Sequence, residues 1–256
     1  MAFFNKVLAS IGIGAAKVDT KLSQSSIKAG DVVEGMVEIK GGSIEQNIDE
    51  IYLSINTTYE KEVDDKIVHK QASIATIKLN EPFVIMPEAT KTIPFQFQLP
   101  INTPISAGST KVWLQTGVDI KGAMDPTDKD MVTVLPHDLV DETLKVFSLL
   151  GFTIRNVKNK AASNKLRNSL SFIQEFEFVP TSGTYYGKFD EVELVFFPIN
   201  EKKLEIMMEV DRRAKGLTGL LSAAFDMDES IIRFTLDESD LPSFRNRIEE
   251  ILKKYS

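Results

Sequence analysis

The side chains that could do chemistry are few and scattered. His69 lies in a charged stretch after Asp64-Asp65-Lys66, His137 follows Pro136, and neither has a second histidine at metal-ligand spacing. A surface place is expected for His69 and a linker place for His137. The chain has no cysteine, which removes thiolate zinc sites, disulfides and a Cys nucleophile. Two acidic clusters remain as candidates for a hard cation: Asp125, Asp128 and Asp130, and Asp226, Asp228 and Glu229. Neither follows the calcium-loop pattern with its central Gly and terminal Glu, so solvated turns are expected at both. A metal-dependent hydrolase using one of them is the enzymatic alternative. Gly12 and Gly14 lack a preceding strand and the rest of a nucleotide fingerprint, and Gly41-Gly42 joins two predicted strands rather than opening a helix. No cofactor and no resident metal are expected.

Residues suited to binding are better defined than residues suited to catalysis. Glu209, Asp211, Arg212, Arg213 and Lys215 form the densest mixed-charge segment, and Arg favours interfaces because its planar fork pairs bidentately. Just beyond it Leu217, Leu220, Leu221 and Phe225 follow helical spacing between two predicted strands. Gly216 and Gly219 weaken that segment as an isolated helix by about 1 kcal/mol each, so it needs a cover. Its own sandwich or a partner can supply that cover, and in the second case Leu217, Leu220, Leu221, Phe225, Arg212 and Arg213 are the candidate partner-binding residues. At the N-terminus Phe3, Phe4, Val7, Leu8 and Ile11 also recur at helical spacing. This stripe can dock on the protein itself, on a partner or second copy, or on lipid. The sparse Lys/Arg of its other face speaks against a membrane role.

The elements that must position these residues are mostly strands. Val33, Val37 and Ile39 alternate with Glu34 and Glu38. Ile51, Leu53 and Ile55 alternate with Tyr52, Ser54 and Asn56, and Ile93, Phe95, Phe97 and Leu99 with Pro94, Gln96 and Gln98. Period-two alternation is the pattern of strands that bury one face. Val18 to Leu22, Ile74 to Leu79, Val112 to Ile120 and Met131 to Leu135 bring the first half to about seven strands. Turn chemistry separates them at Ala29-Gly30-Asp31, Gly41-Gly42-Ser43, Asp64-Asp65, Asn80-Glu81-Pro82 and Asp125-Pro126. With no helical crossover between them, an antiparallel, immunoglobulin-like sandwich follows.

After Pro136 the period changes. Asp138 is a plausible N-cap, Leu139, Val140, Leu144, Phe147 and Leu150 form a helical stripe, and Gly151 is a natural stop. The polar stretch Asn156 to Asn168 reads as a loop. Strands resume at Ser171 to Val179, Glu191 to Pro198, Leu204 to Val210 and Ser230 to Leu236. A terminal amphipathic helix starts at Asp240 and Pro242 with a stripe of Phe244, Ile248, Ile251, Leu252 and Tyr255. The expected fold class is mostly β: two arrestin-like, immunoglobulin-like antiparallel β-sandwich domains with a few decorating helices, including the C-terminal amphipathic one. The expected organisation is an amphipathic segment at 1–17, a first sandwich at 18–137 and a second at 138–256.

Composition sets the partner class. The formal charge is −7 from 37 acidic and 30 basic residues, which repels phosphate backbones and speaks against nucleic acid. Every Arg lies at or beyond Arg155. Other proteins are the expected partners, with a homodimer as one form of this. The absence of cysteine fits a reducing cytoplasm, and no stretch approaches a membrane-spanning length.

These residues resemble a known family, the SpoOM sporulation-control proteins, whose N-terminal half is similar to arrestins. The resemblance is carried by Ile27-Lys28-Ala29-Gly30-Asp31 with Gly35 in the next strand, by the run from Gly41 to Tyr59 and by IPFQFQLPINTPIS from Ile93 to Ser106. In the second half QEFEFVP from Gln174, EVELVF from Glu191 and EVDRRAKGL from Glu209 carry it. It implies a cytoplasmic bacterial regulator of entry into sporulation, two arrestin-like domains and no known cofactor. Arrestins sense phosphorylated partners through cations that include Arg, which the first half of this chain lacks, and Ala29 stands where Pro is usual before the glycine.

Overall fold

A computed structural model of the chain describes residues 14–79, 81–121, 124–163, 170–212 and 231–256. The strands are β1 (Lys17–Leu22), β2 (Ser26–Lys28), β3 (Val32–Lys40), β4 (Gln46–Val63), β5 (Lys66–Lys78), β6 (Phe83–Ile85), β7 (Thr90–Gln98), β8 (Val112–Ile120), β9 (Thr127–Leu135), β10 (Phe152–Ala161), β11 (Phe172–Pro180), β12 (Phe189–Asn200), β13 (Lys203–Arg212) and β14 (Ile231–Asp237). The helices are α1 (Asp138–Leu149) and α2 (Leu241–Tyr255). The chain divides into two compact units. One runs to Thr58 and includes Lys70–Ser106 and Lys111–Leu135; the other holds Tyr59–His69, Ala107–Thr110 and the chain from Pro136. Residues 59–69 and 107–110, within the span expected for the first domain, thus belong to the second unit.

In the first unit β3 is flanked antiparallel by β1 and β7, and a second sheet has the order β4-β8-β9-β2 with β5 and β6 also on β4. β2 and β6 are short strands that add to those expected from the sequence. The predicted alternation supplies the core: Val33, Val37, Ile39, Ile51, Leu53, Ile55, Leu114 and Val118 are all buried, each contributing about 1.5–3 kcal/mol by leaving water. Ser54 and Asn56, expected on the solvent side of β4, are also buried. Asn56 Nδ2 donates to Ser54 O at 2.9 Å and to Ser54 Oγ at 2.8 Å, and Gln71 Nε2 donates to Asn56 Oδ1 at 3.3 Å, so their polar atoms are satisfied without solvent. Beside them Tyr52 is paired with Gly117. A Cβ on Gly117 would stand 2.2 Å from the tyrosine ring, so a larger residue there would have to displace the Tyr52 side chain.

The margins of the small sheet are closed by side chains. Thr20 N–H on β1 donates to Asp128 Oδ2 on β9 at 2.7 Å, and the Thr20 and Thr116 hydroxyls meet at 2.6 Å. A carboxylate here stands in for the backbone acceptor of a missing neighbour strand. At the other margin of the small sheet β7 carries Pro94, which has no N–H to offer an incoming strand.

In the second unit β10 to β14 follow one another in sheet order as an antiparallel meander. Phe147, Phe152, Phe178, Phe189 and Tyr185 pack ring against ring at 5.0–6.4 Å. α2 buries Phe244, Ile248 and Leu252 and keeps Lys253 and Lys254 in its last turn, where they suit the negative end of the dipole. Arg247 of α2 donates to Thr235 O on β14 at 2.8 Å and lies 5.2 Å over Phe234. The tip of the β4–β5 hairpin joins this unit: Glu60 pairs with Lys160 and Tyr59 stacks on Phe172 at 5.8 Å.

Two local expectations are corrected. The stretch read as a loop from Asn156 is strand β10 as far as Ala161. Its polar residues hid the alternation, because the buried positions Val157 and Asn159 include only one apolar side chain. His137, expected as an exposed linker, is buried and is itself the N-cap of α1, its Nδ1 accepting from Leu139 N–H at 3.3 Å, while Asp138 is the first helical residue. Gly151 ends α1 as expected, at φ +88°, with Ser182 O so close that a Cβ would lie 2.2 Å away.

The β4–β5 turn generates a prediction. Asp64 and Asp65 both have positive φ, 50° and 57°, which strains a residue carrying a Cβ and matches the turn type that favours Asn-Gly. Asp65→Gly is expected to raise the unfolding free energy by about 0.5–1 kcal/mol, measured by urea denaturation with an unchanged slope; a loss of stability would mean that Asp65 makes compensating contacts.

Candidate functional site

Of the residues singled out for partner binding, Arg213, Leu217, Leu220, Leu221 and Phe225 lie outside the described residues, as does the N-terminal stripe from Phe3 to Ile11. Arg212 is the last residue of β13. The cluster Asp226, Asp228 and Glu229 also falls outside them.

The acidic cluster of the first unit is described. Asp125 Oδ1 accepts from Ile120 N–H at 3.0 Å, and Asp128 accepts from Thr20 N–H at 2.7 Å and Lys129 N–H at 2.9 Å. These carboxylates are occupied by backbone donors, which ties them to turn and sheet closure. Asp130 is pushed up to about 6, first by burial and then by the charges of Asp128 and Asp19. Among the described residues no group of three His, Asp or Glu side chains is placed to hold a metal. His69 is exposed on β5.

A second carboxylate set escaped sequence reasoning as a set, only its Glu209 and Asp211 having been singled out, within the mixed-charge segment. Glu175 and Glu177 on β11, Glu191 and Glu193 on β12, and Glu209 and Asp211 on β13 project from one face of the meander. Glu177, Glu193 and Glu209 stand side by side across three strands, and Glu191 is opposite Asp211. Like charges placed opposite one another across a ladder destabilise it. Arg155 answers Glu177 and Glu191, and Lys160 answers Glu175. Glu193 and Glu209 have no ion pair among the described residues. Burial, followed by the Glu175 charge, pushes Glu193 up to about 7 and raises Glu209 as well. The signal for this face was present in the sequence as one spacing repeated in three successive strands, Glu-Phe-Glu, Glu-Val-Glu and Glu-Val-Asp. Chemically it is a store of negative charge with too few cations, able to take up protons near neutral pH or to face a basic surface.

The sequence profile of the SpoOM protein family matches residues 4–214. The chain belongs to the SpoOM family. Sporulation-control protein spo0M of Bacillus subtilis (strain 168) is 40% identical to it over 259 aligned residues, covering 100% of each chain. The crystal structure of Spo0M from Bacillus subtilis matches with a TM-score of 0.86 at 39% identity, covering 95% of this chain and 100% of that one. The mostly β, arrestin-like fold class expected from the sequence is therefore the SpoOM fold. α2 lies beyond the residues the SpoOM profile matches but within the span shared with the Bacillus protein.

The two most strongly raised carboxyls, Asp130 and Glu193, have the same consequence for stability. Asp130 at about 6 and Glu193 at about 7 hold protons in the folded protein at pH values where the unfolded chain has released them. Stability from these groups therefore grows as pH falls through their folded values toward the ordinary carboxylate range near 4, and is absent above about 7. The melting temperature is expected to rise between pH 7.5 and 5.5, by the equivalent of roughly 1 kcal/mol in total because both groups are partly exposed and screened. Asp130→Asn with Glu193→Gln should flatten that rise in calorimetry; an unchanged slope would place the linkage elsewhere.

Proposed function

We propose that this chain is a non-catalytic regulator that works in the cytoplasm by binding other proteins, with a role in the control of sporulation like that named for its Bacillus subtilis relative. The full-length 40% identity to that sporulation-control protein carries the reading. The geometry of the titratable groups supports it: the best catalytic candidates of the first unit, Asp125 and Asp128, are engaged by backbone N–H groups rather than converging on a cavity. No helix among the described residues is long and apolar enough to cross a membrane. The absence of cysteine suits a reducing compartment. Expression of this chain in a Bacillus subtilis strain lacking spo0M tests the role directly. Restored control of sporulation is expected, and a strain indistinguishable from the uncomplemented one would count against it.

The candidate partner segment is proposed on sequence grounds. If Leu217, Leu220, Leu221 and Phe225 meet a partner, with Arg212 and Arg213 beside them, then Leu220→Asp with Leu221→Asp leaves the melting temperature within about 1 °C and removes a co-purifying protein or lowers the mass seen by light scattering. A fall of several kcal/mol in stability would instead assign these leucines to the protein's own core.

A further inference from the structure

An unpaired strand edge presents a row of backbone donors and acceptors, and soluble proteins close such rows with a proline, a charge, a bulge or a covering side chain. The margins described above follow this rule through Asp128 on β1, Pro94 on β7 and Arg247 on β14. β5 does not. It pairs with β4 alone, and among the described residues no strand takes its second edge. Gln71, Ser73 and Thr76 are exposed there. From Gln71 to Ile77 the sequence QASIATI has no charge, no Pro and no Gly, and it includes the strand formers Ile74, Thr76 and Ile77. Such a window on an open edge is a template for another strand. The hydroxyl of Ser73, donating to Ala75 O at a long 3.4 Å, is a weak substitute for a ladder bond.

The charges at its ends select the occupant. Lys70 has no ion pair among the described residues, and Lys78 is 3.9 Å from Glu50 with half its side chain exposed. The segment from Lys70 to Lys78 contains no acidic residue in a chain whose net charge is −7. A second copy is a poor fit, since antiparallel pairing of the neutral window with itself about Ile74 sets Lys70 opposite Lys78 at both ends, and a parallel pairing in register stacks each Lys on its twin. A strand with an apolar-polar centre and acidic residues at its ends meets both lysines favourably.

We propose that the free edge of β5 over Lys70–Lys78 receives an extended, acid-flanked segment of a protein partner, which adds to the sheet as a further strand. Main-chain hydrogen bonds to the open edge hold it, and Lys70 and Lys78 select acidic residues at its ends. The assignment rests on the reading of the chain as a protein-binding regulator and names the kind of segment it binds.

The test uses the full chain and labelled peptides of alternating Thr and Val with paired Glu at both ends, with paired Lys at both ends, or with paired Glu and a central proline. Binding is read by fluorescence anisotropy and by amide hydrogen exchange. The Glu-flanked peptide is expected to bind at least about tenfold more tightly than the other two, and to slow exchange at alternate amides between Gln71 and Ile77. Lys70→Glu with Lys78→Glu, both exposed, should reverse the preference toward the Lys-flanked peptide without changing the melting temperature. If those variants unfold, the exchange result on the unaltered protein decides alone. Unchanged exchange at saturating peptide, or equal binding of the proline peptide, overturns the docking edge. Equal binding of Glu- and Lys-flanked peptides overturns the acidic partner, and a doubled mass with protected Gln71–Ile77 amides in the absence of peptide assigns the edge to a second copy. Failure here with sporulation control restored removes the edge and leaves the regulator, whereas the converse result removes the regulator and leaves the edge.

Discussion

The unsatisfied backbone at strand margins is the constraint on which the closure of these sheets depends. A sheet buries its apolar face readily, but its edge residues keep donors and acceptors that cost free energy if dried and invite aggregation if left bare. Asp128 gives Thr20 N–H an acceptor, and Arg247 gives Thr235 O a donor. Because Asp128 does this work, one of the two clusters offered by the sequence as a candidate cation site is held in place as a structural closure. Asp130 remains beside it with a raised carboxyl, pushed up first by burial and then by the charges of Asp128 and Asp19.

The strands of the first unit were legible because alternation is a property of consecutive residues: Val33, Val37 and Ile39, or Ile51, Leu53 and Ile55, announce a buried face without reference to anything distant. The same reasoning failed at β10, where Asn159 occupies a buried position and the surrounding lysines and asparagines read as a loop. It failed again at His137, because a residue after proline looks like linker until the helix it caps is in view. Residues 59–69 and 107–110 show a further limit. Nothing in their own sequence says that they associate with strands that lie far along the chain, and such long-range membership is decided by Tyr59 finding Phe172 and Ser109 finding Val157.

The carboxylate face of the second unit was written in the sequence but is invisible until register is known. Three Glu-x-Glu-like spacings are ordinary solvent-side alternation when read singly. Only the pairing of Glu177 with Glu193, and of Glu193 with Glu209, turns them into a row of adjacent like charges. Arg155 and Lys160 relieve part of the repulsion, while burial and then the Glu175 charge raise the affinity of Glu193 for protons. The candidate partner residues beyond Arg212 belong to a different kind of illegibility, since their case rests on an apolar stripe that requires a cover, and sequence cannot say whose.

A chain of net charge −7 with a lysine-bounded edge poses an electrostatic question that distance answers. Summed over the molecule the field repels an acidic partner and slows its approach. At physiological ionic strength, however, charges more than about 8 Å apart are largely screened, so once a segment lies along β5 it senses chiefly Lys70, Lys78 with Glu50 3.9 Å from it, and the neutral window between the two lysines. Long-range repulsion and short-range attraction then act on different steps: the first lowers the rate of encounter with any acidic surface, and the second retains only a segment whose acids fall at the right spacing. Net charge suppresses non-specific association while local charge selects, so an acidic chain can still hold an acid-flanked segment specifically.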